Sequence, residues 1–186
     1  MIKNNYFVLT GAMGAGKSTV LNSIKEQGHL CVEEPAREIL KGQRKINGEG
    51  VPEKNAELFN QLMLQRMIGQ YENNVNKKEI IIFDRGIPDI IGYSDLLNTK
   101  RDKAELASKE FRYSKYVFLF KGWKEIYTND EERKMSYMLA ENYGENIMKN
   151  YEELGYVLLN VPFVTVEERV TYILGRIEEI LKGKYP

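Results

Sequence analysis

The chain has 186 residues, enough for one domain with a substantial core. Hydrophobic residues make up 42% and charged residues 29%, an ordinary globular balance. Lys plus Arg and Asp plus Glu are equal at 27 each, so no net field favours nucleic acid or an anionic membrane.

The amino terminus, MIKNNYFVLTG, lacks the long apolar stretch of a signal peptide. Its hydrophobic run of about five residues falls far short of the ~20 that span a bilayer. The first strand is expected in YFVLT (6–10), and GAMGAGKST follows it directly. Gly11, Gly16, Lys17 and Ser18 satisfy the spacing G-x-x-x-x-G-K-[ST]. The spacing has a physical reason. A strand stops, glycines let backbone amides curl around an anion, and a helix begins with its unpaired amides aimed at the same anion. The nucleotide-binding loop is therefore Gly11, Ala12, Met13, Gly14, Ala15, Gly16, Lys17, Ser18 and Thr19. Lys17 supplies a point charge to the β and γ phosphates, the Ser18 hydroxyl suits Mg²⁺, and Thr19 falls near the α phosphate. The segment STVLNSIKEQG reads as a helix ending at Gly28.

A second strand is expected in LCVE (30–33). Cys31, the chain's one cysteine, reads as a buried structural thiol. It can form no internal disulfide, which fits a reducing, cytoplasmic setting. His29, the sole histidine, has no partner of its kind for a zinc site and falls at the strand boundary. Residues 42–52 are polar and contain glycine, and are expected as a surface loop. Phe59, Leu62, Met63, Met67 and Tyr71 then recur at helical spacing. IIIFD (80–84) is the third strand, and Pro88 suits the first turn of the helix after DRG. YVFLF (116–120) and YVLLN (156–160) complete five strands. The last helix opens on a capping box, Thr165 and Glu168, and carries Val166, Val170, Ile173, Leu174, Ile177 and Leu181 on one face.

The strands are continuous apolar runs, as expected when both faces of a parallel sheet are buried. The β-α order, with no linker or repeat, predicts a single domain over 1–186: a three-layer α/β/α sandwich around a five-stranded parallel sheet. Ligands of such sheets bind at the carboxyl ends of the strands. Asp84 closes the third strand there and is expected to order Mg²⁺ or its water, although an acid at a strand end can also cap a helix.

Several segments carry a resemblance. Asp84-Arg85 resembles the DR of thymidylate-type nucleotide kinases and the ER of deoxynucleoside kinases. VEEPAREIL resembles the second-strand end of nucleoside kinases, where a Glu before Pro faces the acceptor hydroxyl, and the corresponding region of the ribosylnicotinamide-kinase domain of NadR. Through LTGAMGAGKST, VEEPAREIL, IIFDRGIPDIIGY, WKEIYTNDEER and YEELGYVLLNVPFVTVEERV, nearly the whole chain is similar to small bacterial AAA-domain or NadR-like P-loop proteins. The resemblance implies a P-loop NTPase fold of nucleoside- or nucleotide-kinase type. Other P-loop classes fit less well. Arg85 stands where motor-like and AAA+ ATPases place a catalytic Glu, and NKKE (76–79) lacks the last residue of a guanine-reading NKxD. The P-loop also resembles that of shikimate kinase, but no Asp-x-Asp follows the second strand and no Gly-Gly-Gly the third.

On that resemblance the expected activity is transfer of the γ-phosphoryl of Mg²⁺-ATP, with GTP not excluded, to a small hydroxylated acceptor: a nucleoside, a nucleotide or a ribosylnicotinamide-like compound. Lys17, Glu34, Asp84 and Arg133 are the candidate catalytic residues, with Glu33 competing with Glu34 as base because strand neighbours point to opposite faces. Glu34, Arg37, Arg85 and Asp89 are the candidate acceptor contacts, and either arginine is equally readable as a structural ion pair. Asp89 is also readable as a first-turn helix carboxylate. The acceptor region is expected over about 34–75 and a lid over about 121–137, where Arg133 and Lys134 approach the γ phosphate on closure. Trp123 is expected as a packing anchor. The competing function is a nucleotide-dependent switch or slow NTPase acting through a protein or lipid partner, and the chain is expected as monomer or homodimer.

Overall fold

The computed structural model describes residues 2–128 and 135–184. Strands and helices alternate along them: β1 (Tyr6–Gly11), α1 (Lys17–Glu26), β2 (Leu30–Val32), α2 (Ala36–Lys45), α3 (Pro52–Glu72), β3 (Ile81–Asp84), α4 (Asp89–Leu96), α5 (Asp102–Glu110), β4 (Tyr116–Phe120), α6 (Tyr137–Glu153), β5 (Val157–Asn160) and α7 (Val166–Leu181). A short 3₁₀ turn, Lys124–Ile126, follows β4. The strands pair in parallel in the order β2-β3-β1-β4-β5, the three-layer α/β architecture expected from the sequence.

Period-two alternation divides the interior in two. Tyr6 and Val8 of β1 face a core built with α3, α4, α5 and α6. Phe7 and Leu9 face the opposite core, against α1 and α7. β1, β3 and β4 are buried throughout, which explains their unbroken apolar runs. The edge strands β2 and β5 are partly exposed, because each has a neighbour on one side alone.

Register places the carboxyl ends of the central strands together. Leu9 lies opposite Asp84 across β1 and β3, and Gly11 opposite Phe120 across β1 and β4. The helix ends follow from local chemistry. Gly28 takes φ 91° after α1, and Thr165 and Glu168 form the reciprocal capping box of α7. One expectation needs correction: Gly42 to Lys45 are helical, so the connector between α2 and α3 is short. The Gln43 side chain accepts a hydrogen bond from the Gly50 N–H at 2.9 Å, and Val51 is buried, which folds that connector back onto α2. Among the described residues no helix is long and apolar enough to cross a membrane.

Candidate active site

The loop after β1 is built by backbone constraint. Gly11 takes φ 119°, and a Cβ there would lie 2.2 Å from the Phe120 carbonyl oxygen, so only glycine lets the loop leave the sheet against β4. That same carbonyl accepts from the Ala12 N–H at 2.9 Å. Lys17, at the start of α1, folds back so that its ammonium donates to the Ala12 carbonyl at 2.7 Å. Burial, reinforced by the neighbouring Arg85 charge, lowers the Lys17 pKa to about 8.

Ser18 Oγ donates to Asp84 Oδ2 at 2.9 Å. The other oxygen of Asp84, Oδ1, is buried without a hydrogen-bond partner. Burial, and then the charge of Glu34, raise the Asp84 carboxyl above its ordinary range. A hydroxyl oxygen beside a carboxylate with an unused oxygen is a donor set suited to a hard divalent cation. Among the described residues no cluster of three or more His, Cys, Asp or Glu forms a self-sufficient metal site. Such a cation would need further oxygens from its ligand.

Beside this cradle lies a buried carboxylate–guanidinium cluster. Arg85, directly after β3, adopts φ 69°, a left-handed conformation that costs a non-glycine residue about 1–2 kcal/mol. Its side chain is only 3% exposed and holds the chain in that state. The Arg85 Nη1 donates to Asp89 Oδ1 at 2.8 Å and to the Gly11 carbonyl at 3.2 Å. Its Nε lies 2.9 Å from Glu34 Oε1, an ion pair without the alignment of a hydrogen bond. The rings of Tyr93 and Tyr143 stand 5.6 and 5.3 Å from the guanidinium carbon.

Glu34 is further fixed by the Tyr93 hydroxyl, which donates to Oε1 at 2.5 Å. Burial alone would raise the Glu34 carboxyl, but Arg85, Tyr93 and Lys17 together outweigh it and hold the group below the usual carboxylate range. Glu33 is directed elsewhere: it is exposed and paired with Lys25 at 2.7 Å.

Asp89 lies beneath the cluster instead of facing an acceptor. It is fully buried, and its two oxygens accept from Thr10 Oγ1 (2.7 Å), Arg85 Nη1, the Gly86 N–H (3.0 Å) and the Tyr151 hydroxyl (2.7 Å). With four donors its acceptor capacity is taken. Arg37 is exposed in the first turn of α2. Arg133 and Lys134 lie outside the described residues.

Five participants went unnoticed in the sequence: Thr10, Tyr93, Tyr143, Tyr151 and Arg169. Tyr93 is four residues beyond Asp89 on α4, a helical spacing that was readable. Tyr143, Tyr151 and Arg169 come from distant elements that topology alone brings near. Arg169, on α7, donates through Nη1 to the Ala15 carbonyl at 3.1 Å and through Nε to the Val164 carbonyl at 2.9 Å. Its guanidinium carbon stands 4.5 Å from the centre of the Trp123 ring. Trp123 is only partly buried, with Phe163 on it at 5.3 Å.

Electrostatic balance separates the cations. Arg85 is matched by two carboxylates, Glu34 and Asp89. Lys17 and Arg169 are buried as well, yet neither forms an ion pair among the described residues, and both donate to carbonyls instead. Lys17 feels the charges of Asp84, Glu34 and Asp89 without a direct ion pair, and Arg169 pairs with no carboxylate among the described residues, so two buried cations flank one glycine loop and favour an anion there.

The family described as "AAA domain" matches residues 6–169. No curated protein matches the sequence at a significant level. Among solved structures, deoxyadenosine kinase from M. mycoides with dCMP and dCDP bound superposes with a TM-score of 0.66 at 19% identity, over 94% of this chain and 99% of that one. The NadR protein in complex with NR gives 0.63 at 18% identity, over 94% of this chain and 50% of that one. NadR with NAD and AMP-PNP gives 0.60 at 18% identity, over 94% and 48%. The chain thus spans about half the length of NadR, and at these identities the likeness establishes the fold.

Proposed function

Because the chain belongs to the AAA-domain family, with a fold shared by a deoxynucleoside kinase, we propose that it transfers the γ-phosphoryl group of Mg²⁺-ATP to a hydroxyl of a small acceptor. The acceptor class is a nucleoside, a nucleotide or a ribosylnicotinamide-like compound. The observation that carries this reading is the placement of Glu34. It is a carboxylate held ionised by Arg85 and Tyr93, at the carboxyl end of β2, across from Lys17, Ser18 and Asp84. A phosphate site alone needs no such group. A transferase does, because an attacking hydroxyl must lose its proton.

In this reading the amides of residues 11–19 and the Lys17 ammonium hold the phosphates. Ser18 and the unused oxygen of Asp84 would hold Mg²⁺, which would supply neutralisation of phosphate charge. Glu34 accepts the acceptor's hydroxyl proton as that oxygen bonds to the γ phosphorus. The bond from γ phosphorus to the β–γ bridging oxygen breaks, and ADP leaves with the electron pair. Arg85 fixes Glu34 and faces the acceptor, and Asp89 positions Arg85 from below. Arg37 contacts the acceptor at the rim of a region spanning about 34–75. Arg133, within a lid over about 121–137, approaches the transferring group. Dry closure of the site gives these charges their strength. The bound ligands of the two structural neighbours, dCMP and dCDP in one and NR in the other, support the choice of acceptor class.

The test is mass detection of products after incubation with Mg²⁺-ATP, and separately Mg²⁺-GTP, across nucleosides, nucleoside monophosphates, ribosylnicotinamide and shikimate. One acceptor gaining a phosphoryl mass is expected. Lys17→Ala should abolish this, and Glu34→Gln should lower turnover by about 10²–10⁴-fold while nucleotide affinity stays within about threefold. Nucleotide hydrolysis that no acceptor stimulates would sink the transferase reading and favour a switch or slow NTPase with a macromolecular partner.

A further inference from the structure

We propose that Arg169 is a positioning residue that couples the phosphate loop to the segment after β4, a role that rests on the nucleotide-binding reading above. Three contacts carry it. The Arg169 guanidinium holds the Ala15 carbonyl at 3.1 Å, the Val164 carbonyl at 2.9 Å, and stacks on the Trp123 ring at 4.5 Å. It therefore joins the glycine loop, the β5–α7 connection and the first residues beyond β4. A Cβ on Gly16 would meet Arg169 Nη1 at 3.0 Å and Ile126 Cδ1 at 3.4 Å. The loop is thus covered on this side by Arg169 and by the 3₁₀ turn next to Trp123.

The consequence for phosphate follows from peptide geometry. The carbonyl and N–H of a trans peptide point in opposite directions. By holding the Ala15 carbonyl towards α7, Arg169 turns the N–H of the same peptide, that of Gly16, away from α7. A cation on the carbonyl also polarises the peptide, which strengthens that N–H as a donor to an anion. The buried charge of Arg169 meets no carboxylate among the described residues, so a bound phosphate becomes its nearest source of compensation. Anion binding at the loop then strengthens the hold of Arg169 on Ala15 and alters its stack on Trp123. Occupancy of the loop is transmitted to the segment that leads towards residue 128.

Trp123 is the chain's one tryptophan, so its emission reports this contact directly. The experiment is a titration of the full chain with magnesium AMP-PNP, read by calorimetry and by Trp123 emission together. The wild type is expected to bind with an emission change that follows the calorimetric isotherm. Arg169→Met, which keeps the apolar stem and removes the donors, is expected to weaken binding about tenfold and to lose the emission change at saturation. Arg169→Lys restores one donor without the planar stack, so affinity should recover in part while the emission change stays absent. The lysine variant also carries the test should the methionine variant not fold. Variant affinity within twofold of wild type, or an undiminished emission change, overturns the coupling and leaves the nucleotide site standing. A wild type that binds no nucleotide overturns the nucleotide reading and this inference with it.

Discussion

Lys17 is a buried side chain through which ligand binding is expected to depend on pH. Its amine is held at about 8 by burial, against an ordinary value near ~10.4. Between those values the unfolded chain carries a proton that the folded chain lacks, so this group's contribution to stability rises with pH across the window. Phosphate oxygens beside the amine would reverse its shift and restore the proton. Binding of Mg²⁺-ADP within this window is therefore expected to take up about one proton, and affinity is expected to fall as pH climbs above about 8. Calorimetry in two buffers of different ionisation enthalpy measures the uptake, and Lys17→Met should remove it. Identical heats in the two buffers for the wild type would contradict this account of Lys17. Lys17 was legible as a candidate in GAMGAGKST, because that motif is a spacing of neighbouring positions. Its burial was not, because Arg85, Asp84 and Glu34 reach it from other elements, although the carbonyls it donates to, Gly11 and Ala12, lie in the same segment.

At the scale of elements, Asp89 is a tie among four of them. It receives Thr10 from β1, Arg85 from the turn after β3, Gly86 from the same turn, and Tyr151 from α6. Reading it from sequence as an acceptor contact followed from its place one residue after Pro88, near a strand end. What decided otherwise was its complete burial. Asp89→Asn leaves Arg85 its pairing with Glu34 but sets an amide donor against buried donors that Asp89 now accepts from, so it is expected to cost about 1–3 kcal/mol in urea denaturation. Tyr151→Phe removes one hydrogen bond and should cost about 1 kcal/mol. A loss below about 1 kcal/mol for Asp89→Asn would mean that the left-handed backbone of Arg85 is held by something other than this network. Glu33 and Glu34 make the same point about elements. Sequence alternation sent them to opposite faces, and in the structure Glu33 pairs with Lys25 of α1 while Glu34 pairs with Arg85.

At the scale of the molecule, the sheet separates two hydrophobic cores. α1 and α7 pack in the core that holds Ala12 and Ala15 of the glycine-rich loop, while α3 to α6 pack in the core that holds Tyr93 and Tyr143. Ile173 of α7 and Ile147 of α6 are both wholly buried, one in each core. Each change to Ala is expected to cost about 2–5 kcal/mol in urea denaturation. With the sheet between them, the double variant should be additive within about 0.5 kcal/mol. A larger coupling would show that the two layers respond as one. The sequence by itself determined the five strands in chain order, the parallel sheet and the glycine-rich loop after β1. Those features arise from periodicity and from chemistry between adjacent residues. Only the tertiary structure decided which carboxylate meets Arg85, that Asp89 supports the site from below, and that Arg169 reaches back across 154 positions to Ala15. Each of these is a contact between elements far apart in the chain, and its existence depends on the register and crossing of elements that no local spacing encodes.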